Sequence, residues 1–494
     1  MYTHSTAPDT IRYKWGILRV PPNFQMDEVA TYSVTAQPLA EDIARACGAP
    51  NGVGGPLRTL VEPFACVGGN TRAFLAAGFR VLAVEQDEAR HAALVANCAD
   101  RAEHLETRCG RWQDHVPADR RAVAFLDPPW GGPDCREKRF RVDGMTMREL
   151  VEFWLARCAR VVVKLPVYYD TRGEFGAMRE FRADRVLGRD KMRMVIFERR
   201  WAILIPYRAG PGQEERAAQL AEIVPHLERM FAGTGCEILV AEQTDDGRLF
   251  NRGALLNAAF RLVRGRFPNL THVITHDVDL KPSPELFRAY VDPPAEGTVT
   301  HVGGVWKRYD SDSYLGGVLS VRAEDFPGYP NDIWGWGGED DVLRDRIRAR
   351  KLKVVRPAEG TLADLEAMDL ATKMQWLRDR KQKCMDKWER VRAHRRALGR
   401  SEDVRECSFD LVRQLNEHHV LLRLGDGPAS PDWGRGYWSR KRPRGNTSRV
   451  DERPWRRARP VRARPDAAAG RPRDAGARAP RNDSARRGGA PARA

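Results

Sequence analysis

The sequence predicts an α/β protein built from two successive blocks and ending in a disordered basic tail. Three observations predict this. Short apolar runs alternate with helical patterns, first in "RTLVEPF", "RVLAVEQ", "AVAFLDPP" and "ARVVVKLP". A second alternation starts at "WAILIPYR" and continues in "CEILVAEQ" and "HVITHDVDL". Runs of this length, spaced by helices, point to largely parallel sheets covered on both faces. The end of the chain, rich in Arg, Pro, Gly and Ala, has almost nothing apolar to bury. The expected division is residues 1–199, 200–424 and 425–494.

Composition agrees with globular blocks. Of 494 residues, 42% are hydrophobic and 30% charged, which is enough apolar material for two or three domains. From Asp426 onward 19 Lys and Arg stand against 7 Asp and Glu, so +12 of the net +16 lies in the tail. The blocks themselves are therefore a weak case for nucleic-acid binding by charge. The tail, with "RKRPR" at Arg440–Arg444, is a candidate for sequence-independent phosphate contact or nuclear import, or a mere solubilising segment. Nine scattered cysteines without a C-x-x-C pair point to reduced thiols and a cytoplasmic or nuclear protein. No apolar run is long enough to span a bilayer, and no signal peptide is evident, so no membrane partner is expected.

In the first block, Glu62 ends the first strand and Gly68 and Gly69 open a helix that begins with Asn70 and Thr71. A glycine turn at that place lets a ligand approach backbone closely. Glu85, with Asp87 behind it, ends the second strand, where an acid can accept from ribose hydroxyls. "FLDPPWGGP" then follows an apolar strand. Asp127 offers acceptor oxygens for an exocyclic amine, and Trp130 offers a flat face for a base.

In the second block, "IPYR" ends a strand with Tyr207 and Arg208, and "FNRGALLN" places Phe250 and Arg252 at a helix start. "HDVDL" brings Asp277 and Asp279 to a strand end. D-x-D spacing aims both carboxylates to one face, as a hard divalent ion holding a diphosphate requires. "YLGGV" contributes Tyr314 and Gly316. "DIWGWGGEDDV" sets Trp334, Trp336 and Gly338 before Glu339 and Asp340. A helix start accounts for the acids there, since acids favour the positive dipole end; it leaves the tryptophans unexplained.

These motifs carry two resemblances. With "YSVT" at Tyr32–Thr35, "FACVGGNT", "VEQD" and "DPPWGGPD", the first block resembles trimethylguanosine synthase, the RNA cap guanine-N2 methyltransferase family. That implies a Rossmann-like domain using S-adenosylmethionine, held by Glu62, Gly68, Gly69, Asn70, Thr71, Glu85 and Asp87. It implies capped RNA as partner, with Trp130 stacking on guanine and Asp127 facing its 2-amino group. The family usually has Ser at Asp127, and Asp is typical of adenine-N6 methyltransferases, so the acceptor base stays open. Arg111 stands at the place of the family's adenine-side acid, which Asp114 could replace.

The second block has its five motifs in the order found in β-1,4-galactosyltransferases and resembles that family. This implies a GT-A fold, UDP-galactose as donor, a sugar acceptor and inversion at the anomeric carbon. Asp340 matches the general base and Trp336 the tryptophan against donor and acceptor sugars. Tyr314 matches the residue beside the galactose 2-position. Tyr207, Arg208, Phe250, Arg252, Asp277, Gly316, Trp334, Gly338 and Glu339 complete the expected substrate site. Mn2+ or Mg2+ is expected on Asp279. In place of the family's Met-x-x-His the chain offers Glu366 and Asp369, either metal ligands or solvent-facing helix acids. One block could also persist only as an RNA- or sugar-binding module. A fusion of this kind would suit a compact genome, such as that of a large virus.

Overall fold

A computed structural model of the chain describes residues 19–21, 23–48, 58–117, 119–129, 139–178, 180–187, 192–208, 214–306, 314–366, 368–398 and 403–425. The basic tail from residue 426 onward and its "RKRPR" lie outside the described residues. The described parts of both blocks belong to one compact unit.

The first block is a seven-stranded sheet. Its strands are β1 (Arg58–Glu62), β2 (Phe79–Glu85), β3 (Leu105–Cys109), β4 (Val123–Leu126), β5 (Arg160–Pro166), β6 (Phe181–Leu187) and β7 (Met192–Glu198). Their order is β3-β2-β1-β4-β5-β7-β6. Neighbours from β3 through β5 run parallel, and β7 pairs antiparallel with both β5 and β6. The order reverses between β1 and β4, which opens a crevice at their carboxyl ends. The two sheet faces carry separate apolar clusters, one around Val61, Trp154 and Val163 and one around Leu60, Phe74 and Phe125. This is why the strand sequences read as continuous apolar runs.

Local signals start the helices beside the crevice. Helix α1 (Glu28–Ser33) is capped by Asp27, and α2 (Gln37–Ala46) has Pro in its first turn. Helix α3 (Gly69–Ala76) begins from Gly68 at φ 90°, and α4 (Glu88–Asn97) from Asp87, whose side chain accepts from Arg90 N–H at 2.9 Å. In α5 (Met147–Leu155) Thr146 and Glu149 form a reciprocal capping box.

Only Arg199 and Arg200 separate β7 from β8 (Trp201–Tyr207), the first strand of an eight-stranded sheet. The others are β9 (Cys236–Gln243), β10 (His272–His276), β11 (Thr298–His301), β12 (Val318–Arg322), β13 (Lys353–Val355), β14 (Phe409–Asn416) and β15 (His419–Leu424). The order is β13-β11-β12-β10-β8-β9-β15-β14, mixed parallel and antiparallel. Helices α6 (Glu214–Phe231), α7 (Arg252–Arg266), α8 (Glu339–Ala349), α9 (Leu370–Asp379) and α10 (Lys387–Arg396) complete it. Apolar clusters again lie on both faces. The blocks touch where Arg120 pairs with Asp292 at 3.0 Å and Arg121 donates to Met230 O at 2.8 Å. Cysteines among the described residues are unpaired thiols, and no described helix is long and apolar enough to cross a membrane.

Candidate active sites

The second sheet opens into a cleft of about 600 Å³. It is lined by Tyr207 and Arg208 at the end of β8, by Phe250 and Arg252 at the start of α7, and by Asp277 and Asp279 after β10. Tyr314, Trp336, Gly338, Glu339, Asp340 and Glu366 complete the part expected from sequence. Trp334 is not in this lining; its ring lies under the Arg248 guanidinium at 4.4 Å. Asp369 caps α9, accepting from Thr372 N–H at 2.7 Å, and is exposed.

Backbone geometry explains "WGWGGED". Gly335, Gly337 and Gly338 have φ of 90°, 104° and 103°, values that suit glycine. The turn they form lets Trp336 N–H donate to Gln382 O at 2.8 Å, while its carbonyl accepts from Cys384 N–H at 3.2 Å. This pins the indole beside the loop between α9 and α10. Gly338 then starts α8, so Glu339 and Asp340 fall in the first turn.

Arg252 organises the acids. Its Nε donates to Asp277 Oδ1 at 2.8 Å and its Nη1 to Asp340 Oδ1 at 3.1 Å. Burial, with Asp279 and Asp340 close by, raises the Asp277 carboxyl to about 6 despite Arg252. Burial and the neighbouring Asp340 raise Glu339 to about 7. Arg252 Nη2 and Glu339 Oε2 are buried with no partner among the described residues, and both would be satisfied by a polar ligand. A Cβ on Gly316 would come within 2.4 Å of Asp340 Oδ2 and 2.6 Å of the Tyr314 hydroxyl, so any side chain there would push both groups aside.

Asp279 and Glu366 meet on one cation. Arg216 donates from Nη1 to Asp279 Oδ2 and from Nη2 to Glu366 Oε1, each at 2.9 Å. Lys373 also bonds Glu366. Burial would lift the Asp279 carboxyl, but Arg216 holds it below the usual range. Among the described residues no cluster of three or more His, Cys, Asp or Glu side chains is set to hold a metal. The two carboxylates supply the hard oxygens that a divalent ion takes; such an ion would have to displace Arg216 from them, and its other ligands would be diphosphate oxygens and water.

In the first sheet, the sequence-expected residues gather at the crevice. Glu62 Oε2 accepts from Thr71 Oγ1 at 2.6 Å. Burial pushes the Glu62 carboxyl up to about 8. Glu85 accepts from Cys66 N–H and Asp87 N–H, both at 2.9 Å. Asn70 Nδ2 donates to Asp127 Oδ2 at 3.3 Å. Glu62 Oε1 and Asn70 Oδ1 are buried acceptors without a described partner, which an amine-bearing ligand such as S-adenosylmethionine would fit. Arg111 and Asp114 are exposed. Trp130 lies outside the described residues.

Comparison with known proteins matches both halves. A family model described as the RNA cap guanine-N2 methyltransferase matches residues 57–173, and one described as the N-terminal domain of galactosyltransferase matches residues 303–368. The chain is a galactosyltransferase-like unit joined behind a cap-methyltransferase-like unit. It is 35% identical to the β-1,4-galactosyltransferase 7 of Drosophila melanogaster over 163 residues, 32% of this chain and 47% of that protein. The chain thus spans about half the length of the curated relatives it matches. The crystal structure of the Drosophila β-1,4-galactosyltransferase 7 catalytic domain with xylobiose is 25% identical, with a TM-score of 0.37, covering 46% of this chain and 94% of that one. A putative RNA methyltransferase from Pyrococcus horikoshii is 13% identical with a TM-score of 0.27, covering 39% of this chain and 96% of that one.

Several residues of both sites were not foreseen in the sequence. In the galactosyltransferase-like unit, Arg216, Trp306, Arg344, Lys373, Trp376 and Lys387 also line the cleft. Buried His301, whose Nε2 pairs with Gly316 O at 3.0 Å, stands behind Tyr314. In the cap-methyltransferase-like unit, Lys164 contacts Asp127 at 2.7 Å. The charged run after Lys351 was the one available signal for Lys373 and Lys387; nothing local marked Arg216 or Lys164.

Proposed function

We propose that the chain is a bifunctional transferase. The second unit moves galactose from UDP-galactose to a sugar hydroxyl with inversion, and the first methylates the 2-amino group of guanine in an RNA cap. The observation that carries the first activity is the convergence of Asp277, Asp279, Tyr314, Trp336 and Asp340 on one cleft. Asp340 takes the proton of the acceptor hydroxyl as its oxygen bonds the anomeric carbon. The bond to the diphosphate breaks on the opposite side, and its electron pair leaves with UDP. Trp336 supplies a flat apolar face for the sugars. Arg208 and Arg252 offer charge to the donor.

Asp279 and Glu366 would hold Mn2+ or Mg2+, while Asp369, the third acid expected there, caps α9. Such an ion supplies neutralisation of the charge that grows on the departing diphosphate.

The methyltransferase reading is supported by the family match, the crevice at β1 and β4, and the unsatisfied Glu62 and Asn70 acceptors. S-adenosylmethionine supplies an activated methyl group. The protein aligns the amine with it, Asp127 holding the amine hydrogens and Trp130 the base plane. A second reading, adenine-N6 methylation, is favoured by one observation: a carboxylate rather than Ser at position 127. The unpaired thiols support work in the cytoplasm or nucleus, and the tail is read as a nucleic-acid contact.

Incubation of the full chain with UDP-galactose, S-adenosylmethionine, Mn2+, capped RNA and a panel of acceptor sugars tests both activities by mass spectrometry. One added hexose on a sugar and one added methyl on the cap guanine are expected. Methyl on adenine alone would replace guanine by the second reading, and no transfer to any acceptor would overturn the respective unit's function.

A further inference from the structure

Asp127 is a partnered carboxylate. It directly follows β4, whose Leu126 lies opposite Val163 of β5, so Lys164 comes level with it on the neighbouring strand. Lys164 Nζ donates to Asp127 Oδ2 at 2.7 Å, with the two side chains only 7% and 9% exposed. Asn70 Nδ2 reaches the same oxygen at 3.3 Å. Lys164 also donates to Thr35 Oγ1 at 3.0 Å, which ties the "YSVT" segment at the end of α1 to the same point. Oδ2 is thus met by two donors. No donor among the described residues meets Oδ1.

We propose that Lys164 is the positioning residue of the methyl-transfer site: it clamps Asp127 through Oδ2 and leaves Oδ1 as the acceptor for the nucleobase amine. This rests on the methyltransferase reading above. A carboxylate that is free to rotate presents two equivalent oxygens and no fixed direction, whereas transfer to an amine tolerates little angular error. A buried ammonium is costly without its anion, and a buried carboxylate without its cation, so the two residues form one unit. The unit is neutral overall and still offers one carboxylate oxygen as an acceptor. It also explains how Asp stands at a position where the related family usually carries Ser: the extra charge comes with its own counter-ion one strand away. It follows that Asp127→Ser alone would strand Lys164 without an anion.

The test uses the full chain and four variants: Lys164→Met, Lys164→Arg, Asp127→Asn, and Asp127→Asn with Lys164→Met. Calorimetry reads S-adenosylmethionine binding, steady-state kinetics on capped RNA read kcat and KM, and urea unfolding reads the ion pair directly. Lys164→Met should lower kcat by about 100-fold, on the scale of a misplaced reacting group, with S-adenosylmethionine affinity within about threefold of wild type. Lys164→Arg should recover part of kcat. The double variant should be no worse than the worse single one, because the two residues act together. A Lys164→Met kcat within about threefold of wild type, or losses that multiply in the double variant, would overturn the proposal. So would a fall in S-adenosylmethionine affinity that matches the fall in kcat, which would make Lys164 a donor-site residue. If Lys164→Met does not fold, the double variant, which buries neither charge, and Lys164→Arg carry the same comparison. If wild type binds S-adenosylmethionine yet methylates neither guanine nor adenine, the methyltransferase reading itself fails. Coupling seen only in unfolding would then make the pair a structural strut and overturn its positioning role.

Discussion

Arg252 donates from Nη1 to Asp340 Oδ1 across 3.1 Å, joining the first turn of α7 to the first turn of α8. The same guanidinium holds Asp277, so the proposed base and the first acid of D-x-D share one cation. A base held in this way is fixed in direction but keeps its second oxygen for the acceptor hydroxyl.

Asp340→Asn should therefore abolish most galactose transfer while leaving the fold and donor site in place. Turnover should fall by about 10²–10⁴-fold, the usual contribution of a general base. Calorimetric binding of UDP-galactose with Mn2+ should change only a few-fold. Turnover close to wild type would move the base to another carboxylate of the cleft.

Gly316→Ala should damage the same site by volume rather than by charge. The added methyl would stand 2.4 Å from Asp340 Oδ2 and 2.6 Å from the Tyr314 hydroxyl, so both must shift. A displacement of about 1 Å costs on the order of 100-fold in rate. Measured kcat should drop on that scale. An unchanged kcat with unchanged stability would show that Asp340 and Tyr314 need not stand where they do.

Glu339 gives a pH signature. Burial and Asp340 raise its carboxyl from 4.5 to about 7. Between those values the folded protein keeps a proton that the unfolded chain has released, so this group's contribution to stability falls as pH rises through the window. Asp277 acts with the same sign between 3.8 and about 6. His272 and His276, kept neutral by burial with values near 4, act with the opposite sign up to 6.5. The difference between Glu339→Gln and wild type isolates Glu339. In thermal melts the variant should gain relative stability as pH rises from about 4.5 to about 7. A pH-independent difference would mean that Glu339 ionises normally.

Metal binding separates three acids that the sequence put together. Asp279→Ala and Glu366→Ala should each weaken Mn2+ binding by about tenfold or more, since each removes a charged oxygen from the same point. Asp369 caps α9, so Asp369→Ala should cost about 1 kcal/mol of stability and leave Mn2+ affinity nearly unchanged. Mn2+ titration followed by electron paramagnetic resonance, alongside urea unfolding, reads both. Equal Mn2+ losses in all three variants would place Asp369 in the metal shell as well.

Much of this architecture was legible before any coordinates. Strands such as "VAFL" and "WAILIPY" bury both faces, and that requirement writes itself into the sequence as unbroken apolar runs. The cleft residues at strand ends and helix starts were legible too, because the turn after a strand and the first turn of a helix are local events. Trp336 and Asp340 share one short glycine-rich turn, so their proximity needed no tertiary argument. Trp334 sits in the same turn yet packs on Arg248 outside the cleft lining, because two residues along such a turn the backbone has already changed direction.

The sequence by itself determined the two sheets, their order along the chain, and the motifs that end their strands. Tertiary structure alone decided the counter-ions. Lys164 reaches Asp127 from 37 positions away, Arg216 reaches Asp279 from 63, and the same Arg216 reaches Glu366 from 150. No spacing rule connects such pairs. A Lys in an apolar strand or an Arg on a helix carries no local mark of its partner; the pairing is fixed only when strands align side by side and bury both charges, where each must find the other or be too costly to keep.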